Sequence, residues 1–377
     1  MGMRGRAGGL AVALVVALTA AGCFGPASSS SSREAAAPPL PRPAAVIPPP
    51  VEHVTYAVGA RILHLERGGD RPLPTLVFYP VAAKTPPTGE TALAGVWDIG
   101  AAAKRSPGER VFGARVFGAR ASGARASGAR VAGARGKPAK KRVKVVQGKL
   151  RWKARPPAEG RFPLVLFCHG LSGSPERYAD ALAAWAAAGF VVAAPTFPHT
   201  SEFTDDFRRP DIVNQPADAR YVLARVRALD LTPGDPLWHR IDTDHIAVVG
   251  HSAGGYTTTG LLNAGHDPRL RAGVIMAGWA AKGAFAGPPA TMLFLQGTSD
   301  PIVRVAASRR LFARVPWPKS YLLMQHNSHA TYLRPGDSGY DLMRYSVTAF
   351  LRWTLEGDES GRRSLPRTVY PAGLTVN

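Results

Sequence analysis

The sequence predicts an α/β fold: a mainly parallel sheet with helices on both faces and an antiparallel N-terminal edge. Three observations carry this. From Phe162 onward, short and near-continuous apolar runs alternate with segments of helical spacing, the pattern of strands buried on both faces. Before that point "VTYAV", "RILHL" and "TLVFYP" are separated by turn signals, with no helix between them, so that edge is antiparallel. The chain has 377 residues and is 45% hydrophobic, enough for one large core or two ordinary ones.

The elements follow in order. "RGGDRP" turns the chain between early strands. "FPLVLFCHG" is a buried strand, and "PERYADALAAWAAAG" is a helix with Tyr178, Leu182 and Trp185 on one face. "FVVAAP" is a strand. "PADARYVLARVRAL" is a helix with Pro216 suited to its first turn, where the missing N–H costs nothing. "HIAVVG", "AGVIMAG", "TMLFLQG" and "SYLLMQ" are four more apolar strands. A helix follows "GHSAGG", and "RVAASRRLFARV" and "YDLMRYSVTAFLRWTL" supply two more.

Outside this pattern the composition changes. Arg4 and Arg6 precede the apolar stretch "GGLAVALVVALTAAG", which is short for a membrane span and reads as an export signal over residues 1–22. It ends in "TAAGC", similar to a bacterial lipoprotein signal, which implies lipidation of Cys23; ordinary cleavage with Cys23 incidental is the alternative. Residues 23–50, Ser-rich and then Pro-rich, read as a tether. Residues 84–158 read as a solvated low-complexity insertion carrying five Gly-Ala-Arg repeats. The net charge of +21 is concentrated there: residues 101–155 hold 17 Lys and Arg against one acid, Glu109. That segment suits an anionic envelope surface, and its two Phe lack the regular interleaving of specific nucleic-acid readers. The expected location is outside the cytosol, on a bacterial cell envelope. Two cysteines give no disulfide framework, and Cys168 reads as a buried thiol on a strand.

The chemistry concentrates in three strand-end loops. "GHSAGG" has the Gly-x-Ser-x-Gly form between an apolar strand and a helix, where glycines permit a strained turn that exposes Ser252. Asp300 follows "TMLFLQG" and His329 follows "SYLLMQ". The order Ser, acid, His and the placement after strands fit a nucleophile, an orienting carboxylate and a base. His326 is the rival base, and Asp337 and Asp341 are weaker rival acids that read as caps of the last helix. An oxyanion would take the backbone N–H of Ala253 and of Leu171, which follows His169-Gly170. His169 is read as shaping that loop, and His251 as packed beside Ser252. The scattered histidines show no metal-type spacing, and no phosphate loop or dinucleotide fingerprint occurs, so no metal or cofactor is expected.

"FPLVLFCHGLSGSPERY", "PADARYVLARV", "VVGHSAGGYT", "LQGTSDPIV" and "HNSHA" together resemble the α/β-hydrolase superfamily. The likeness is greatest to its dienelactone-hydrolase-like branch, with platelet-activating-factor acetylhydrolases and bacterial cutinase-like polyester hydrolases. It covers about Val51 to Leu355 without the insertion, giving a catalytic domain at 51–357 and a C-terminal tail at 358–377. The resemblance implies the α/β-hydrolase fold, Leu171 and Ala253 at the oxyanion hole, and Trp279 as a substrate-contacting aromatic. The expected activity is a serine esterase on a small-molecule or polymeric ester, through an acyl-enzyme. The alternatives are an amidase or peptidase with the same triad, and a non-catalytic envelope-binding lipoprotein.

Overall fold

A computed structural model describes residues 55–82 and 155–365. The signal, Cys23, the tether and most of the basic insertion lie outside the described residues, as do the last twelve residues. The strands are β1 (Ala57–Arg67), β2 (Arg71–Val81), β3 (Phe162–Cys168), β4 (Val191–Pro195), β5 (Ile241–His251), β6 (Leu270–Met276), β7 (Thr291–Gly297) and β8 (Lys319–Met324). The helices are α1 (Ala179–Ala187), α2 (Gln215–Ala228), α3 (Ala253–Leu261), α4 (Val305–Ala313), α5 (Tyr340–Glu356) and α6 (Glu359–Ser364). The eight strands form one sheet in the order β1-β2-β4-β3-β5-β6-β7-β8. β1 and β2 pair antiparallel with each other, β2 antiparallel with β4, and every later pairing is parallel. This is the α/β-hydrolase architecture expected from the sequence.

Strand alternation builds two cores. In β3, Val165 and Phe167 face one side with Trp185 of α1 and Val347 and Phe350 of α5. Leu164, Leu166 and Cys168 face the other, with Ala219 and Val222 of α2, Leu261 of α3 and Leu311 of α4. Every residue of β3 is buried, which is why its sequence is a continuous apolar run with no polar alternation. Each large side chain so buried contributes about 1.5–3 kcal/mol of transfer free energy.

The antiparallel edge departs from its expected division. The last two residues of "VTYAV", Ala57 and Val58, run on into "RILHL" as a single eleven-residue strand. Gly59 does not break it; the ring of Tyr79 on β2 fills the space a side chain there would take. An ionic cluster pins this hairpin to α2: Arg71 bonds both oxygens of Asp211 at 3.0 and 2.8 Å, and Arg67 and Arg71 both donate to Asp218.

Two expected boundaries shift. The last residues read as insertion are held on β2, where Tyr79 donates to the carbonyl of Arg155 at 2.9 Å and the Ala158 N–H donates to that of Pro80 at 2.9 Å. The segment read as a tail from residue 358 opens with α6, because the Asp358 carboxylate caps it through Ser360 N–H at 2.8 Å. Gly361 then packs tightly on the backbone of Ala349 in α5.

The core assignment has a direct check. Phe350→Ala, fully buried between α5 and the sheet, is expected to lower the urea unfolding free energy by about 3–5 kcal/mol. Phe207→Ala, at a ring that is 48% exposed, should change it by no more than ~0.5 kcal/mol.

Candidate functional site

The parallel strands bring their carboxyl ends to one edge of the sheet, and the candidate residues stand on loops there. Ser252 links β5 to α3 with φ 55° and ψ −116°, a backbone conformation that is strained for any residue with a side chain. Such strain costs of order 1–3 kcal/mol and persists only where the surroundings over-determine it. The determinants are visible. A Cβ at Gly254 would run into the carbonyl of Cys168 on β3, and one at Gly250 would run into the backbone of Gly254. The Ser252 N–H donates to the Met276 carbonyl at the end of β6, 2.9 Å away. Ser252 N–H is thus tied to β6, and its carbonyl accepts the first amides of α3, from Gly255 and Tyr256.

Asp300 and His329 meet. The Nδ1–H of His329 donates to Asp300 Oδ2 at 2.8 Å. The other carboxylate oxygen accepts the amides of Ile302 and Val303 at 2.8 and 2.9 Å. Burial pushes the Asp300 carboxyl up, but the His329 bond and these amides outweigh it and hold it below the ordinary carboxylate value. With Nδ1 donating, the neutral ring carries its lone pair on Nε2.

The three loops follow β5, β7 and β8, and β6 lies between the first two. Read as the ends of three neighbouring strands, they are not, because β6, the "AGVIMAG" strand, pairs between β5 and β7. At ~4.8 Å per strand the His329 loop must return across roughly 14 Å to reach β5. It does: the rings of His251 and His329 have centroids 4.8 Å apart, and the His329 carbonyl accepts from His251 Nε2 at 2.8 Å. The buried Asn327 ties the base of this loop to β7, its carbonyl accepting from Ser299 N–H at 2.9 Å. Its side chain accepts from Thr331 and Ser338.

The rival residues are placed elsewhere. His326 is exposed, with φ 58° and its amide on Thr298. Asp337 accepts the amides of Leu333 and Arg334, so it caps the turn before α5 and not α5 itself. Asp341 lies in the first turn of α5, paired with Arg344.

Ala253 directly follows Ser252, and the loop that carries Leu171 lies against that serine. A Cβ at Gly170 would lie 3.2 Å from that of Ser252, so the loop that opens with Gly170-Leu171 touches the serine. Ala253 is the first residue of α3, where amides are unspent and the helix dipole is positive. Among the described residues no acceptor is bonded to the amide of Leu171 or of Ala253. The Leu171 loop is fastened by Glu202: its amide donates to the Gly173 carbonyl at 3.0 Å, and its carboxylate accepts from Ser174 at 2.6 Å and from Arg177 at 2.8 and 2.6 Å. His169 lies beneath, its Nδ1–H on the Gly170 carbonyl at 2.7 Å and its Nε2 accepting from Phe197 N–H. Trp279 is half-buried after β6, 6.2 Å from the ring of Tyr256 in the first turns of α3.

The sequence reading missed two supporting residues. Gln296 is fully buried at the end of β7, and its amide donates to Asp300 Oδ2 at 3.1 Å and to the Val303 carbonyl at 2.7 Å. The signal was a lone polar residue closing the apolar run "TMLFLQG". Glu202 carried no such signal, since its partners come from a different loop.

The mostly parallel, doubly covered sheet with an antiparallel edge is the α/β-hydrolase fold, and two family models from that superfamily match parts of the chain. Residues 183–364, just under half of the chain, match the model of the PET hydrolase-like family. Residues 139–226 match that of platelet-activating factor acetylhydrolase, isoform II. No individual curated protein matches the chain significantly. The two families make it a serine hydrolase of the carboxylic ester kind. The first match spans Ser252, Trp279, Asp300 and His329, and the second spans Leu171.

The buried histidines set an acid limit. Burial lowers His169 to about 4 and His251 to about 3, so both are neutral in the fold. Their unfolded forms take up protons from about pH 6.5 downward. Stability is therefore complete above that pH and falls as the pH drops through the window towards 4 and 3. At about 1.4 kcal/mol per unit the two amount to several kcal/mol. The urea midpoint is expected to decline steadily from pH 7 to pH 4.5; a flat midpoint would contradict this account of both rings.

Proposed function

We propose that the protein hydrolyses carboxylic esters through an acyl-enzyme on Ser252. The observation that carries the reading is the Asp300–His329 hydrogen bond at 2.8 Å at the strand-end edge that also bears the strained Ser252 turn. His329 Nε2 takes the serine proton, and Ser252 Oγ attacks the ester carbonyl. The amides of Leu171 and Ala253 receive the oxyanion, and His329 returns the proton to the leaving alcohol. Water, activated by the same ring, then releases the acid. Asp300 fixes the tautomer of His329 and stabilises the imidazolium formed on the way. Gln296 and the amides of Ile302 and Val303 hold that carboxylate in place. Trp279, beside α3, offers an aromatic face to the substrate.

Export and attachment complete the proposal. Its support is the N-terminal "TAAGC" after an apolar stretch, with Cys23 as the lipidated residue. Residues 101–155 supply a strongly basic segment suited to an anionic envelope surface.

Labelling with a fluorophosphonate probe and turnover of p-nitrophenyl esters of increasing chain length test the mechanism. Ser252→Ala is expected to abolish labelling and lower kcat by up to ~10⁶. Asp300→Asn should lower kcat by about 10⁴ with the fold intact. Equal labelling of Ser252→Ala and the parent would overturn the assignment. Vesicle binding with and without residues 101–155, at low and high salt, tests the basic segment.

A further inference from the structure

We propose that Tyr178 and His251 are positioning residues, which tie the Leu171 loop to the loop that carries His329. The direction of each bond follows from its partner. A carbonyl can only accept, so His251 Nε2 carries a proton and donates to the His329 carbonyl at 2.8 Å. The same neutral ring then has its lone pair on Nδ1, which accepts from the Tyr178 hydroxyl at 2.9 Å. The Tyr178 oxygen in turn receives the Gly170 N–H at 3.4 Å. The result runs in one sense from Gly170 through Tyr178 into His251, and from the far side of that ring to His329.

Each end of this chain matters to the proposed reaction. Gly170 precedes Leu171 and lies against Ser252. His329 sits on a long loop from β8 that has to reach back over β7 and β6. The Asn327 contacts secure that loop to β7. Among the described residues, the His251 bond is the tie from β5 to His329 itself. Since His251 directly precedes Ser252, the tie sets the base against the nucleophile. Burial keeps both groups in the needed state: Tyr178 is pushed up to about 12 and stays a donor, and His251 stays neutral.

The inference rests on the hydrolase reading, and its test separates the two. Full-length Tyr178→Phe, His251→Phe and His251→Gln are compared with the parent on p-nitrophenyl butyrate, with Ser252→Ala as the reference for the reading itself. Tyr178→Phe keeps the volume of the ring and removes only the hydroxyl. His251→Gln keeps one donor and one acceptor. Both Phe variants are expected to fold with melting lowered by only a few degrees, since each leaves buried hydrogen-bonding groups without a partner, to keep KM within about twofold, and to lose kcat by about 10- to 100-fold, the scale of a misplaced reacting group. His251→Gln should recover kcat to within about threefold of the parent. The downfield proton resonance of the His329–Asp300 bond should shift in the Phe variants and return in the Gln variant. A folded Tyr178→Phe with parental kcat and an unmoved resonance overturns the linkage; so does a Gln variant as slow as the Phe one. Should His251→Phe fail to fold, Tyr178→Phe decides alone. Retained activity in Ser252→Ala would sink the hydrolase reading instead.

Discussion

The carboxyl edge depends on one backbone contact, that of Gly254 in α3 against the carbonyl of Cys168 in β3. A helix start this close to a neighbouring strand leaves no room for a Cβ, and Gly250 on β5 meets the same turn from below. The two glycines let α3 begin directly at the sheet. The residue between them has to take the strained conformation seen at Ser252, and the first turn of α3 comes to stand beside the Gly170-Leu171 loop. Remove this approach and the serine, the amides around it and the reach of the His329 loop all lose their common reference.

Around that contact the edge is wired with neutral groups. His169 and His251 are fully buried rings that stay uncharged, each donating with one nitrogen and accepting with the other. An imidazole used this way works as a bracket of fixed length, with none of the desolvation cost of a buried charge. Formal charge at the edge is carried by Asp300, where four donors meet the carboxylate, and by the more exposed Glu202–Arg177 pair of the Leu171 loop. The buried ion cluster of Arg71 with Asp211 and Asp218 lies elsewhere, binding α2 to the β1–β2 hairpin.

How much of this the sequence disclosed follows from the range of each interaction. Strands such as "FPLVLFC" and the "GHSAGG" turn are written in local composition, because burial on both faces and a backbone clash dictate residue types over a few positions. Asp300 and His329 were legible through their place just after apolar strands. "AGVIMAG" was legible as a strand, but its place between those of Ser252 and Asp300 was not, since strand order is settled by pairing between distant segments. Tyr178 and Glu202 take their meaning from partners on other loops, and no spacing in the chain announces them, while Gln296 shows only as a lone polar residue closing an apolar run. The continuity of Ala57-Val58 with "RILHL" escaped for a similar reason: Gly59 reads as a turn signal in the sequence, whereas the Tyr79 ring from the next strand covers it. The helix at 359–364 was too short and too polar to stand out from a tail.

The anchoring of Arg155 and Ala158 on Tyr79 and Pro80 has a thermodynamic consequence for the roughly 70 residues between Ala82 and Arg155. The fold holds both stubs side by side, and for a solvated connection, as its composition reads, the closure entropy would grow only with the logarithm of its length. Each doubling costs about 0.6 kcal/mol, so even a tenfold lengthening of a short connection draws only about 2 kcal/mol from the fold. Because β2 runs antiparallel to β4, both stubs leave at the amino ends of the parallel strands, the edge opposite Ser252. The two stubs are thus fixed by bonds separate from those that anchor Leu171, Asp300 and His329.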